Sequence, residues 1–183
     1  MPFLSIITRH MLSRPNLLLS CRSSIRGQTD ADLEHIVLAD EIGRGIAWAN
    51  MQFYHHRNIP QGEYVLMLDD DDYLATPYAV EMLKRVVELA REPDIVVFRD
   101  LRAGLGKLPS EAVWRSRMPI ANEISGQDFI VRRDVWYDNI WAFGLDYGGD
   151  FQFMEALWES RPTVTWFDEV LVASDWQGMG RGE

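Results

Sequence analysis

The sequence predicts an α/β chain, a Rossmann-like α/β/α sandwich with a mainly parallel central sheet. Three observations carry this. Short apolar runs alternate with segments of helical periodicity through the first hundred residues. The runs are apolar throughout rather than every second residue, which marks strands covered on both faces. Helical segments separate them, the connection that parallel strands require. At 183 residues the chain reads as one domain, 1–183. A chain of that length buries enough surface to fold without disulfides.

The elements follow in order. Phe3–Thr8 is a buried strand, and Pro15 suits the first turn of a helix carrying Leu17, Leu18, Cys21 and Ile25. Leu33–Leu38 is the second strand, ending at Asp40. Gly43 and Gly45 precede a helix from about Ile46 to His56, with His55 and His56 favoured at its end by the helix dipole. Tyr64–Leu68 is the third strand and runs into Asp69-Asp70-Asp71-Asp72. Thr76 as N-cap and Pro77 at the first helical position start a helix with the stripe Ala79, Met82, Leu83, Val86, Val87 and Ala90. Pro93 ends it, and Ile95–Phe98 is the fourth strand. Beyond residue 100 the pattern loosens. Leu101–Ser110 reads as a loop, Phe129–Arg132 as a strand and Asp134–Ile140 as a short helix. A helix from about Asp150 to Ser160 and two strands, Thr163–Phe167 and Val170–Ser174, close the pattern; the Gly-containing tail Gln177–Glu183 is expected to be mobile.

Charge narrows the function classes. The net charge is −10, which argues against sequence-independent nucleic-acid binding, driven by basic residues. Residues 1–60 hold six basic and five acidic side chains, so the deficit lies in the remainder. The single cysteine, Cys21, precludes an intrachain disulfide. Leu18-Leu19-Ser20-Cys21 mimics a lipidation site but lacks the apolar stretch a signal needs. No apolar run reaches the roughly 18 residues of a membrane span, so a cytoplasmic protein without a transmembrane segment is expected, with peripheral membrane contact left open. The sequence leaves the oligomeric state open.

Ligands of open parallel sheets bind where strand carboxyl ends meet and strand order reverses. Thr8-Arg9, Asp40 and the four aspartates stand at three such ends. In an extended chain Asp69 and Asp71 would face one side, Asp70 and Asp72 the other. Two carboxylates about 4 Å apart repel by roughly 4 kcal/mol at an effective dielectric of 20. A proton, an arginine or a bound cation must offset that. Carboxylate oxygens suit Mg²⁺, Mn²⁺ or Ca²⁺, but the Gly and closing Glu of a calcium-hand loop are missing.

Together these segments resemble family 2 glycosyltransferases of the GT-A fold. The resemblance runs through Phe3–Arg9, Arg14-Pro15, Ser24-Ile25, Gln28-Thr29, Leu33–Asp40, Gly45–Asn50 and Gly62–Asp72, and resumes at Phe129–Arg133 and Gly149-Asp150. It implies inverting transfer of a sugar from a nucleoside-diphosphate sugar to a hydroxyl of a carbohydrate or other acceptor. The donor half would span about 1–100 and the acceptor half about 101–183. By the same resemblance Thr8, Arg9 and Asp40 line the nucleoside pocket, and Asp69 and Asp70 belong to the donor side. Asp71 holds Mn²⁺ or Mg²⁺ on the diphosphate. Asp150 is the general base, with Glu155 as fallback and a helix N-cap as the structural alternative for Asp150.

The chain departs from the family in places. Ala49 stands where Arg is common, with Arg44 as a substitute phosphate contact. Gly149 replaces Glu, and no His follows His56, leaving Asp175 as the substitute for a C-terminal metal ligand. The Gln-x-x-Arg-Trp motif of processive synthases is absent. Six of the seven Trp lie beyond residue 113, either core or a carbohydrate platform. Two rival readings stand beside transfer. A sugar nucleotidyltransferase would need a Gly-rich loop after the first strand, and Thr8–Arg14 has none. A catalytically inactive nucleotide-sugar-binding module would keep the fold and lose turnover.

Overall fold

A computed structural model of the chain describes residues 1–174. The strands are β1 Leu4–Met11, β2 Leu33–Asp40, β3 Tyr64–Met67, β4 Asp72–Leu74, β5 Ile95–Arg102, β6 Gly106–Leu108, β7 Phe129–Arg132 and β8 Val164–Ser174. The helices are α1 Pro15–Arg26, α2 Ile46–His55, α3 Ala79–Leu89, α4 Glu111–Ser116, α5 Arg133–Asn139 and α6 Gly149–Glu159. The strands form one sheet in the order β2-β1-β3-β7-β5-β8-β4, with β6 on β5. β1, β2, β3, β5 and β8 point the same way, while β4, β6 and β7 oppose them. This is the mainly parallel, Rossmann-like sheet that the apolar runs predict.

The strands are apolar on both faces because both faces are covered. On one side Leu4, Ile6, Leu66, Val96, Phe98 and Ile130 pack with Cys21 and Ile25 of α1 and Val80, Leu83 and Val87 of α3. On the other, Ile7, Val65, Val97, Phe129 and Val131 pack with Phe53 of α2, Trp136 of α5 and Phe153 and Leu157 of α6. Phe53, Trp136, Phe143 and Phe153 meet through tilted and edge-on ring contacts. Pro15 opens α1, where its missing N–H costs nothing.

Several boundaries differ from the sequence expectation. α3 begins at Ala79, because Thr76 and Pro77 form a turn whose carbonyls accept Gln28 and Thr29 instead. α6 begins at Gly149, so Asp150 sits in its first turn and is not the N-cap. The expected loop at 101–110 is largely a hairpin: β5 continues to Arg102, turns through Gly104 (φ +80°) and returns as β6. It reads as loop because Asp100 and Arg102 are polar, yet both are buried and pair with each other (Arg102 Nε to Asp100 Oδ2, 2.6 Å). The two final strands are one, β8. A bulge across β5 skips from Val97↔Trp166 to Arg99↔Val170 and brings Asp168 to within 2.7 Å of Arg99 Nε. The tail Gln177–Glu183, with Asp175 and Trp176, lies outside the described residues.

Candidate active site

β1 has β2 on one side and β3 on the other, so strand order reverses at the carboxyl end of β1. A cleft of about 330 Å³ opens there. Alternation along β1 sends Arg9 and His10 to opposite faces, and each meets one aspartate. Arg9 Nε donates to Asp69 Oδ1 at 2.8 Å, and its Nη2 donates to Asp69 Oδ2, a two-pronged contact. His10 Nδ1 lies 2.8 Å from Asp70 Oδ2, and Arg14 Nη2 lies 3.1 Å from Asp70 Oδ1. The alternation expected for all four aspartates stops after Asp70. The Asp72 N–H donates to the Asp69 carbonyl at 3.0 Å and closes a turn. Asp72 then pairs with Ser174 in the β4–β8 ladder, buried.

The repulsion among the carboxylates is thus dissipated residue by residue. Asp69 and Asp70 take cations. Burial, then the Asp71 and Asp69 charges, push Asp72 well above the usual carboxyl range. Asp71 has no ion pair with a cationic side chain among the described residues. Burial, then the Asp69 and Asp70 charges, push it up to about 6. Arg9 is held above its ordinary range: burial opposes its charge, but Asp69 outweighs this, with help from Asp150 and Asp71.

Asn50 of α2 binds the cleft's two walls together. Its Oδ1 accepts from Arg9 Nη1, and its Nδ2 donates to the Gly144 and Asp146 carbonyls, each at 2.8 Å. Those carbonyls lead into α6, which carries Asp150 to the cleft. Burial raises the Asp150 pKa, opposed by the Phe151 N–H (2.9 Å to Oδ1) and by Arg9. The glycine at 149 has a steric cause. A Cβ there would stand 2.2 Å from the Gly144 oxygen and 2.8 Å from Asn50 Nδ2. The side chain at 149 is excluded by the approach that seats Asn50.

Asp40 ends β2 and fastens its own turn. Its Oδ1 accepts the Ile42 and Gly43 N–H groups at 3.2 and 3.1 Å, and its Oδ2 accepts that of Arg44. Gly43 and Gly45 take φ of +69° and +85°, which lets the chain turn back beneath the carboxylate.

Arg9, Asp40, Asp69, Asp70, Asp71 and Asp150 all line this cleft. Thr8 does not. It is fully buried on the α1 face, its hydroxyl 2.8 Å from His35 Nε2, because the residue before Arg9 in a strand must point the other way. Glu155 is exposed and outside the cleft lining. Arg44 stacks on Trp48 with its guanidinium 4.2 Å from the ring centre. Trp114 and Trp136 are core, Trp158 and Trp166 half-buried, and Trp141 is 67% exposed.

Sequence reading passed over His10 and Arg102. The period-2 rule applied to Arg9 signals His10. Arg102 lies in the segment read as loop; it lines the cleft and donates to Asp100, Asp128 and Ser125. Burial pushes the carboxyls of Asp100 and Asp128 up, Asp128 well above the usual range.

The cleft lining holds seven carboxylates, those of Asp40, Asp69, Asp70, Asp71, Asp72, Asp146 and Asp150, against three arginines, Arg9, Arg14 and Arg102. A phosphate ligand would enter this cleft only with added positive charge. Among the described residues no three His, Cys, Asp or Glu side chains are grouped to hold a metal alone. The donor set therefore fits a divalent ion held by one or two carboxylates and completed by phosphate oxygens and water, the usual Mg²⁺ arrangement. Asp71 is a carboxylate of the run without an ion pair among the described residues.

No protein-family profile matches the chain, and no curated protein sequence matches it. Solved structures do. S. aureus TarS superposes with a TM-score of 0.74 at 13% identity, over 95% of this chain and 36% of TarS. TarS 1–349 in complex with UDP-GlcNAc superposes with a TM-score of 0.72 at 14% identity, over 97% of this chain and 60% of that one. A197 from STIV gives 0.58 at 13% identity, over 92% and 82%. The chain thus spans less than two thirds of the TarS chains it matches, and the likeness is one of fold. Among the described residues no helix is long and apolar enough to cross a membrane.

Proposed function

We propose that the chain is a glycosyltransferase that passes a sugar from a nucleoside-diphosphate sugar to an acceptor hydroxyl, with inversion at the anomeric carbon. The observation that carries this reading is the convergence of Arg9, Asp40, the aspartate run and Asp150 on one cleft at the reversal point of the sheet. The fold likeness to TarS, which binds UDP-GlcNAc, supports a uridine diphosphate donor.

In this reading Asp40 faces the nucleoside, with Met11, Leu38 and Ile46 as apolar walls. Three backbone N–H groups occupy its acceptor sites, and a carboxylate offers about four, so one remains for a base N–H. Arg9 is fixed by Asp69 and Asn50 and sets a guanidinium on the diphosphate side of the cleft, where carboxylates outnumber cations and a bound divalent ion would supply the missing positive charge. Asp71 would hold Mn²⁺ or Mg²⁺, which when bound neutralises charge on the leaving diphosphate. Asp150 takes the proton of the acceptor hydroxyl as that oxygen bonds to the anomeric carbon. The bond from that carbon to the diphosphate breaks, and its electron pair leaves with the diphosphate. Burial makes Asp150 a stronger base than a solvated carboxylate, and Arg9 favours its ionised form at neutral pH.

A thermal-shift series with UDP, GDP and ADP, each with and without Mn²⁺, tests the donor site. A ligand that binds only the native state raises Tm. UDP with Mn²⁺ is expected to raise it, and UDP alone much less. Absence of a metal-dependent shift with every nucleotide would overturn the reading. A shift without turnover of any UDP-sugar would favour a binding module.

A further inference from the structure

β2 closes one end of the sheet and pairs only with β1, in unbroken parallel register from Leu4↔Leu33 to Met11↔Asp40. Its outer edge carries main-chain donors and acceptors with no strand partner among the described residues. Proteins usually blunt an edge of this length with lysine, proline or a bulge. The eight residues Leu-Glu-His-Ile-Val-Leu-Ala-Asp contain none of these, and the two carboxylates among them are engaged within the protein, Glu34 by Ser5 and Gln61 and Asp40 by its own turn. The other end of the sheet, β4, is only three residues long.

Beside this edge a groove of about 400 Å³ runs between α1 and the alternate residues Leu33, His35 and Val37. Ile25 adds to its apolar lining, and Arg22 and Arg26 border it one helical turn apart. Neither arginine has a carboxylate partner among the described residues, in a chain of net charge −10. Their charge is felt at His35, held down to about 4 by burial first and then by Arg22 and Arg26.

We propose that this edge and groove bind an extended acidic peptide segment of a partner protein, which adds a strand to β2 and sets carboxylates against Arg22 and Arg26. An added strand supplies main-chain hydrogen bonds and sends every second side chain to the α1 side, where the groove lies. Charge selects the occupant. A second copy pairing antiparallel through the same edge would place both α1 layers on one side of the joined sheet. Two arginines from each copy would then share one seam.

The test uses a fluorescein-labelled octapeptide alternating glutamate with valine. A lysine–valine peptide and a glutamate–valine peptide carrying two prolines are the controls. The acidic peptide is expected to bind the full chain at least about ten-fold more tightly than either control. The variant Arg22→Glu/Arg26→Glu, or the milder Arg22→Ala/Arg26→Ala should the first misfold, should erase that preference while its UDP–Mn²⁺ thermal shift is unchanged. Hydrogen exchange should show new protection at the β2 amides. No binding, equal binding of the three peptides, unchanged affinity in the variant or protection confined to the cleft would each overturn the proposal. So would a wild-type dimer strengthened by Arg22→Ala/Arg26→Ala, which would assign the edge to a second copy.

Discussion

Two carboxylates of the cleft can be separated by experiment. Asp150→Asn keeps size and hydrogen bonding but cannot take a proton. Transfer is expected to fall by about 10²–10⁴-fold with donor affinity nearly unchanged, read as kcat and as UDP Kd. Asp71→Ala is expected to do the reverse at the first step, removing the Mn²⁺-dependent part of donor binding in a calorimetric titration. Wild-type turnover in Asp150→Asn would move the base elsewhere in the cleft. At this scale the sequence was most legible where residue type was unusual: four consecutive aspartates admit few fates, and six of the seven assigned positions reach one cleft. Thr8 lies outside it because its side chain is enclosed between β1 and α1, against Cys21 and His35. Arg102 was hidden because its polar neighbours, Asp100 and Asp128, are buried and pair with it inside the protein rather than facing water.

At the scale of elements, the seat of α6 depends on a glycine. Gly149→Ala would drive a methyl against the Gly144 carbonyl, a rigid neighbour. The expected loss is about 1–3 kcal/mol, seen in urea unfolding as a lower midpoint with an unchanged slope. The β1–β2 seam offers a pH test. His35 is held near 4 in the fold against an ordinary 6.5, so the native state accommodates the neutral ring. Stability from this group is complete above about 6.5 and is lost as pH falls from there towards 4. Discounted for partial exposure, the loss is of order 1 kcal/mol, about 2–4 °C in Tm for a chain of this size. The difference in Tm between pH 7 and pH 5 should shrink in His35→Gln. Elements with strong periodicity were readable from sequence. The β5–β6 hairpin was not, because Asp100 and Arg102 are polar residues buried in a strand; nor was the bulge that joins the last two strands into β8, because its partner β5 lies far back along the chain.

For the whole molecule, the proposed donor and acceptor halves are not separate folding units. β7, from the second half, sits between β3 and β5, both from the first. Phe129 and Val131 enter one core and Ile130 the other. A fragment ending at residue 100 would lack the strand that joins its own pieces. It is expected to give poorly dispersed amide resonances and no cooperative melting. The position of β7 could not be read from sequence, since Phe129–Arg132 is four residues of ordinary strand with no local mark of its place. The surplus of acid, by contrast, was plain in composition, and the structure concentrates part of it in the cleft.

Asn50 makes a natural spectroscopic probe. Both ends of its side-chain amide are committed, oxygen to Arg9 and nitrogen to two carbonyls of the loop before α6. The group has a single orientation, and its two protons should resonate as a distinct, slowly exchanging pair. Any displacement of residues 144–146 as a ligand enters would register there before it changed the backbone spectrum at large. Ligand entry into the cleft can thus be followed in the native protein, through one residue that takes no part in bond making.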